Sequence, residues 1–315
     1  MCSISVLMSI FNETIDDINK AIKSILNQTY SDFEFIIIVD NPKRSDLKEK
    51  LCLLDSRIKV LVNEYNIGLA QSMNRAASIA KGKYLARMDA DDISLCSRFD
   101  KQYRMLIEND YSLVCTGYVM IDEFDNPIGV ESEDISDSDL VRLLPFDNTI
   151  HHPTVMMKKT LFDKVGGYRN FPCSQDYDLW LRMILVDNNF HYIPDRLFQY
   201  RIREGSISQK NKVKQITTWW YIQSLYKQRK KGGTDSYSET NYLKYLKKNN
   251  VFDEKYCKDE INARKIKSQV DMLKKEKNFK VKRFALICKI LCISSFYRKY
   301  YFRVFKYKII KRFAK

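Results

Sequence analysis

Short apolar runs alternate with amphipathic stretches through the first part of the chain, and that alternation predicts its framework. Ile4–Phe11 is apolar and reads as a strand. Asn12-Glu13-Thr14 supplies a turn and a helix cap, after which Ile15, Ile18, Ile22, Ile25 and Leu26 recur at helical spacing. Phe33–Val39 is β-branched and apolar throughout, which suits a strand in the middle of a sheet, and it stops at the turn Asp40-Asn41-Pro42. A helix over about Asp46–Leu54 leads to a third strand, Ile58–Val62. Asn66-Ile67-Gly68 opens a helix over about Leu69–Ala80, with Gly82 as its C-cap. The next apolar run, Lys83-Tyr84-Leu85-Ala86-Arg87-Met88, ends abruptly in Asp89-Ala90-Asp91-Asp92.

Strand–helix alternation of this kind predicts right-handed βαβ units, hence an α/β fold with a mostly parallel central sheet flanked by helices. Ligands of such sheets bind beyond the carboxyl ends of the strands. Glu13, Asp40 and Asp89–Asp92 each follow the carboxyl end of a strand and Asn66 lies close behind another, so the topology draws them to one edge.

Further on, the pattern predicts a helix over Ser97–Asn109, a strand over Ser112–Met120 and a polar hairpin or loop over Asp122–Asp139. A strand at Thr154–Lys158 follows His151-His152-Pro153, and Val165-Gly166-Gly167-Tyr168 reads as a tight turn. Gln175-Asp176 caps a helix whose apolar side holds Tyr177, Leu179, Trp180, Met183 and Ile184. Phe190–Ile193 and Phe198–Ile202 read as two short strands. From about Gln209 the chain becomes helical, basic and aromatic, with Gly232-Gly233-Thr234-Asp235-Ser236 as the best linker candidate.

Three carboxylates within four residues at a strand end repel one another unless a cation sits among them. Hard oxygen ligands at that density suit Mg²⁺ or Mn²⁺, which share their coordination sphere with substrate phosphates. An acidic turn entering a helix N-terminus reads equally well from these residues alone.

Composition changes the picture in two ways. The eight cysteines are scattered without a C-x-x-C pair, which fits a reducing compartment and no structural zinc. A chain entering a strand pattern at once predicts no signal peptide and a cytoplasmic location. The net charge of +15 suggests nucleic acid until it is located: Lys280–Lys315 holds twelve Lys and Arg and no acid, and the remainder has 42 basic against 39 acidic residues. The basicity belongs to the tail.

The set Ser5-Val6-Leu7-Met8…Asn12-Glu13, Ser24–Tyr30, Asn66-Ile67-Gly68, Met88-Asp89-Ala90-Asp91-Asp92 and Asp176–Arg182 resembles the inverting family 2 glycosyltransferases of GT-A (Rossmann-like) fold. The match runs in order from Ile4 to about Ser208. With His151-His152-Pro153-Thr154, it looks most like bacterial enzymes that extend O-antigen or capsule repeat units on a lipid carrier. The resemblance implies a transferase domain over residues 1–208, with a nucleotide-sugar half to about 120 and an acceptor half over 121–208. A helical region follows over 209–315.

The resemblance also implies roles. Glu13, Asp40 and Asn66 would hold the nucleotide, with Asp89 at the ribose. Asp91, with Asp89 as a second candidate ligand, would bind Mn²⁺ or Mg²⁺ bridging the diphosphate of a UDP-sugar. Asp92 would support the pair from behind or cap the next helix. Asp176 would be the general base, its ionised form favoured by the helix start. Arg203 stands where some relatives carry a metal- or diphosphate-binding His, and would fork onto the diphosphate. His151, His152 and Trp180 are assigned to the acceptor site, the histidines alternatively to the diphosphate. Each has a plainer reading: helix-end acids, a turn residue, surface arginine, structural histidines, core tryptophan. Arg87 receives no role. Neither a Gln-x-x-Arg-Trp motif nor a spanning helix is visible, so the expected transfer is non-processive.

The implied reaction is metal-dependent, inverting transfer of a hexose, glucose or galactose favoured, from a UDP-sugar to an acceptor such as N-acetylglucosamine-diphosphate-undecaprenol, β-1,3. The tail fits that chemistry. Phe284–Ile293 is too short to span a bilayer, while Arg298–Lys308 interleaves basic and aromatic residues like an interfacial helix drawn to anionic lipid. A peripheral site on the cytoplasmic face of the bacterial inner membrane is expected, with no nucleic-acid partner. The alternative is a catalytically silent nucleotide-fold protein binding membrane or nucleic acid through that tail.

Overall fold

The computed structural model describes residues 2–131, 135–203, 212–272 and 280–312. The chain forms two compact units, Met1–Ser206 and Ile207–Lys315. The expected boundary at 208/209 and the helix start at Gln209 lie outside the described residues.

In the first unit the apolar runs become β1 (Ile4–Ile10), β2 (Phe33–Val39), β3 (Ile58–Val62) and β4 (Tyr84–Asp89), paired in parallel in the order β3-β2-β1-β4. β2 is buried at every position, as a strand between two neighbours with helices over the sheet must be. Helix α1 (Ile15–Leu26) turns Ile18, Ala21, Ile22 and Ile25 into the core, each such burial contributing about 1.5–3 kcal/mol for the larger side chains. Thr14 starts it by accepting a hydrogen bond from the Asp17 amide. Helices α2 (Leu47–Cys52) and α3 (Leu69–Ile79) complete the βαβ units.

Gly82 does not cap α3, whose C-cap is Ala80. A Cβ at Gly82 would lie 2.5 Å from the Ser5 amide nitrogen, and its own N–H donates to Ser5 Oγ at 2.8 Å. The glycine is there for close approach to β1, a demand set by a distant strand.

The second half of the sheet is mixed. After β5 (Ile93–Ser94) and helix α4 (Arg98–Glu108) come β6 (Leu113–Ile121), its antiparallel hairpin partner β7 (Pro127–Glu131), and α5 (Asp137–Leu143). A helical turn at His152–Thr154 leads to β8 (Met156–Lys158), which lies antiparallel between β4 and β6. Helix α6 (Lys159–Lys164), the Gly166-Gly167 turn and α7 (Gln175–Met183) follow.

The two short strands expected around residue 195 are one, β9 (Phe190–Arg201), parallel to β6. Pro194 and Asp195 break its alternation but are absorbed as a bulge: Thr116 pairs Ile193 and Gly117 pairs Arg196. A Cβ on Gly117 would come 2.8 Å from the Pro194 carbonyl oxygen. The sheet order is β3-β2-β1-β4-β8-β6-β9-β5, with β7 on β6.

The second unit is helical: α8 (Lys212–Gly232), α9 (Glu239–Lys248), α10 (Glu254–Met272), α11 (Lys280–Ile293) and α12 (Ser295–Arg312). The Gly232–Ser236 stretch is a tight α8–α9 turn held by Gln228 and Arg229, so it links two helices of one unit and separates no domains. Trp220 stacks on Phe296 at 5.4 Å and carries Arg303 at 4.8 Å from its ring centroid. Phe284, Phe302, Phe305 and Ile309 are exposed. Among the described residues no helix is long and apolar enough to cross a membrane.

Candidate active site

Strand register brings the site together. Ile10 pairs Val39, Ser9 pairs Asp89 and Val39 pairs Val62, so β1, β2, β3 and β4 end at one level. Glu13, Asp40, Asn66 and Asp89–Asp92 leave the sheet together there.

Asp40 is not on the cleft surface. It is 3% exposed, and its carboxylate accepts from Asn63 Nδ2 (2.7 Å) and from the backbone N–H groups of Ile67 and Gly68, each at 2.9 Å. It stands behind the wall and shapes the Asn66–Gly68 turn. Asn66 is exposed, its Oδ1 accepting from the Gly68 amide. Glu13 is half-buried and accepts from the Phe11 amide at 2.7 Å. Its charge is felt at Asp91.

The acid cluster divides into three environments. Asp89, 30% exposed at its side chain, lies 2.5 Å from Arg87 Nη2. The Asp91 carboxyl is raised from 3.8 to about 7, first by burial and then by the charges of Asp89 and Glu13. Asp92 is fully buried, so it is not a helix cap; Ser97 occupies the cap of α4. One Asp92 oxygen accepts from the Arg201 amide at 2.8 Å and the other has no partner. Burial pushes its carboxyl well up.

Hard, crowded carboxylate oxygens whose charges repel one another are the donor chemistry that Mg²⁺ or Mn²⁺ fits. Among the described residues no three His, Cys, Asp or Glu side chains cluster as a complete metal cage. Asp91 and Asp89 are therefore a partial set, of the kind that substrate phosphates and water complete.

On the opposite side Ser174, in the left-handed region (φ 61°), precedes α7 and places Asp176 in the first turn. Asp176 is thus inside the helix and not its cap. Asn148 Nδ2 donates to Asp176 Oδ2 at 2.9 Å. Burial raises the Asp176 carboxyl above the ordinary range, opposed by Asn148, nearby backbone N–H groups and the charge of Arg87. The helix start therefore does not leave it an unperturbed carboxylate: desolvation raises its affinity for a proton.

The remaining candidates divide sharply. His152 is 8% exposed and shares a 2.7 Å hydrogen bond with the Tyr168 hydroxyl. Trp180 is wholly buried, its ring centroid 6.0 Å from that of His152. Both pack in the core beside α7, which agrees with the plainer structural reading of each. His151 stacks on Tyr118 at 4.1 Å and meets the edge of Tyr200 at 4.4 Å. Burial and Arg87 lower its pKa to about 3, so it is a neutral imidazole and offers no positive charge to a diphosphate. Arg203 forms an ion pair with Asp17 and lies 3.9 Å from Asp91 Oδ2.

Sequence reasoning missed Asp17, Arg201 and Asn148. Arg201 is 3% exposed; its Nε donates to the Asp91 carbonyl and its Nη1 to the Asp122 carbonyl, both at 2.8 Å, and its Nη2 meets Asp125 at 2.5 Å. Asp17 reads as a solvated capping-box acid, Thr14-x-x-Asp17, yet is 6% exposed beneath two arginines. That capping box was the available signal for Asp17; nothing local marks Arg201 or Asn148.

The Glycosyl transferase family 2 pattern matches residues 5–166. The chain is 38% identical over 211 residues to the O-antigen biosynthesis glycosyltransferase WbnJ of Escherichia coli, covering 64% of this chain and 81% of that one. It is 31% identical over 223 residues to the E. coli UDP-Glc:alpha-D-GlcNAc-diphosphoundecaprenol beta-1,3-glucosyltransferase WfgD, covering 70% and 84%. Staphylococcus aureus TarS 1-349 in complex with UDP-GlcNAc superposes with a TM-score of 0.59 at 14% identity, over 78% of this chain and 70% of that one, which speaks to fold. With the sheet order and the Asp89–Asp92 strand end, these matches show that the chain is a glycosyltransferase belonging to family 2.

Proposed function

We propose that this enzyme transfers a hexose from a UDP-sugar to a lipid-diphosphate-linked sugar with inversion, one residue per encounter, during assembly of a bacterial surface polysaccharide. The observation that carries the reading is two carboxylate environments whose charges both bear on Tyr168: Asp89, with Asp91, at the end of β4, and the half-buried, Asn148-oriented Asp176 at the start of α7. One set suits a diphosphate with its cation and the other suits proton removal.

Asn148 orients the Asp176 carboxylate by donating to Oδ2, and that carboxylate would accept the proton of the acceptor hydroxyl. As the acceptor oxygen bonds to the anomeric carbon, its proton passes to Asp176. The bond from that carbon to the UDP β-phosphate oxygen breaks on the opposite face, and UDP leaves. A divalent cation at Asp91 and Asp89, when bound, supplies Lewis-acid neutralisation of the departing diphosphate. Glu13 and Asn66 line the nucleotide wall that Asp40 shapes. Arg203, beside Asp91, is poised to turn from Asp17 to the diphosphate.

The likeness to WfgD supports glucose as the sugar, N-acetylglucosamine-diphosphate-undecaprenol as acceptor and a β-1,3 linkage, with galactose the other hexose to be tested. The exposed Phe302, Phe305 and Ile309, spaced three and four residues apart on α12 amid basic residues, support peripheral binding at the cytoplasmic face of an anionic membrane, where such an acceptor resides.

UDP release is the test. UDP-glucose, UDP-galactose and their N-acetyl forms are each paired with synthetic N-acetylglucosamine-diphosphate-lipid, with Mn²⁺ or with chelator. The expected outcome is release from one hexose donor that requires both acceptor and metal. Absence of UDP binding by calorimetry with Mn²⁺ present would overturn the reading.

A further inference from the structure

The residue left without a role by both sequence and comparison is Arg87, and it is the most anomalous charge among the described residues. Four arginines are buried: Arg87, Arg98, Arg182 and Arg201. Arg182 donates from Nε, Nη1 and Nη2 to Asp178, Val165 and Gly167. Arg98 donates to Gln102 and to the carbonyls of Arg87 and Val155. Arg201 holds Asp91 and Asp122 as described. Arg87 is 2% exposed, yet Nε, Nη1 and Nη2 all lack a hydrogen bond. Nη2 forms an ion pair with Asp89 Oδ1 at 2.5 Å without a hydrogen bond, as Arg201 Nη2 does with Asp125, but Arg201 and Arg98 each bond through other nitrogens and Arg87 through none.

A guanidinium has five N–H donors, and burying them without acceptors costs free energy that a folded chain normally avoids. The position gives the anomaly meaning. Arg87 shares a face of β4 with Asp89, by strand alternation, two residues ahead of it. Its charge also bears on Asp176, His151, His152 and Tyr168. It is therefore in contact with an acid assigned to the donor site and within electrostatic reach of the acid assigned to the acceptor hydroxyl. In the proposed reaction the group in transit between them is the hexose.

We infer that Arg87 is a donor-binding residue whose free N–H groups are taken up by hydroxyl oxygens of the hexose being transferred. The inference rests on the donor-site reading above. A planar fork of donors beside adjacent hydroxyls also favours one arrangement of them, so Arg87 takes part in choosing the sugar.

The experiment titrates UDP and the preferred UDP-hexose against wild type, Arg87→Met and Arg87→Lys with Mn²⁺ present, with turnover and thermal midpoints recorded. In Arg87→Met we expect UDP affinity unchanged and kcat/KM for the donor lowered about ten- to hundredfold, with a lower midpoint of the ligand-free protein because Asp89 loses its ion-pair partner. Arg87→Lys, keeping charge without the fork, restores the midpoint but only part of the lost kcat/KM. Equal weakening of UDP and UDP-hexose, or full rescue of kcat/KM by lysine, would each identify a structural counter-charge and overturn the inference. Loss of UDP binding by wild type strikes the donor-site reading instead, so the two failures are distinguishable.

Discussion

The floor and the rim of the cleft treat polar groups in opposite ways. At the rim, Arg201, Arg203, Asp17, Asp125 and Lys20 form an ion-pair chain that ties α1, the 122–126 turn and the end of β9 to Asp91 and Asp92. On the floor, the whole Arg87 guanidinium, Asp92 Oδ2 and His151 Nε2 have no hydrogen-bond partner, whereas at the rim Arg201 Nη2, Arg203 Nε and Asp125 Oδ1 lack one singly while other atoms of the same side chains are held. Rim satisfaction fixes geometry, because a buried charge deprived of its partner is strongly unfavourable. Floor deficit leaves donors and acceptors to a ligand. Rim changes should thus appear first as lost stability, and floor changes as lost turnover in a folded protein.

Asp176→Asn is the sharpest probe of the floor. It keeps the shape and the neighbour Asn148 but removes the proposed base, so turnover should fall about 10²- to 10⁴-fold with UDP affinity intact. Normal turnover in this variant would dissolve the distinction.

Arg201→Met probes the rim. Losing two carbonyl contacts and leaving Asp125 without this partner should cost about 3 kcal/mol, seen as a thermal midpoint lower by about 6–12 °C. A midpoint equal to wild type would show that the chain of ion pairs is ornamental.

A cation should erase part of the difference. In the metal-free protein Asp91 has its carboxyl raised from 3.8 to about 7. The folded state then binds more protons than the unfolded one between those values, and its stability from this group falls as pH rises through that window. Mn²⁺ replaces the proton, so its thermal stabilisation should be larger at pH 8 than at pH 5.5. An equal shift at both would argue against Asp91 as the ligand.

The smallest expected effect is at the outer edge of the rim. Thr14→Ala removes the α1 cap and the hydroxyl that donates to Asp17, which should cost about 1 kcal/mol. A urea midpoint measures it, and an unchanged midpoint would detach Asp17's placement from its capping box.

The sequence by itself determined the parallel half of the sheet and the convergence of its strand ends. Continuous apolar, β-branched runs are local signals, and right-handed crossovers leave little choice of topology. It also marked Asp176 and the Asp89–Asp92 strand end by their resemblance to a family. Tertiary structure alone decided which marked residues face the cleft. Asp40 went behind the wall because the Asn66–Gly68 turn offers it two backbone N–H groups. His152 and Trp180 went into the core because Tyr168, across a glycine turn, completes their packing. Arg87 and Arg201 look alike in sequence as arginines at strand ends, and differ only because carbonyls and carboxylates from distant loops reach one and not the other. Burial and partnership of a polar group depend on residues far away in the chain, so no local pattern carries them.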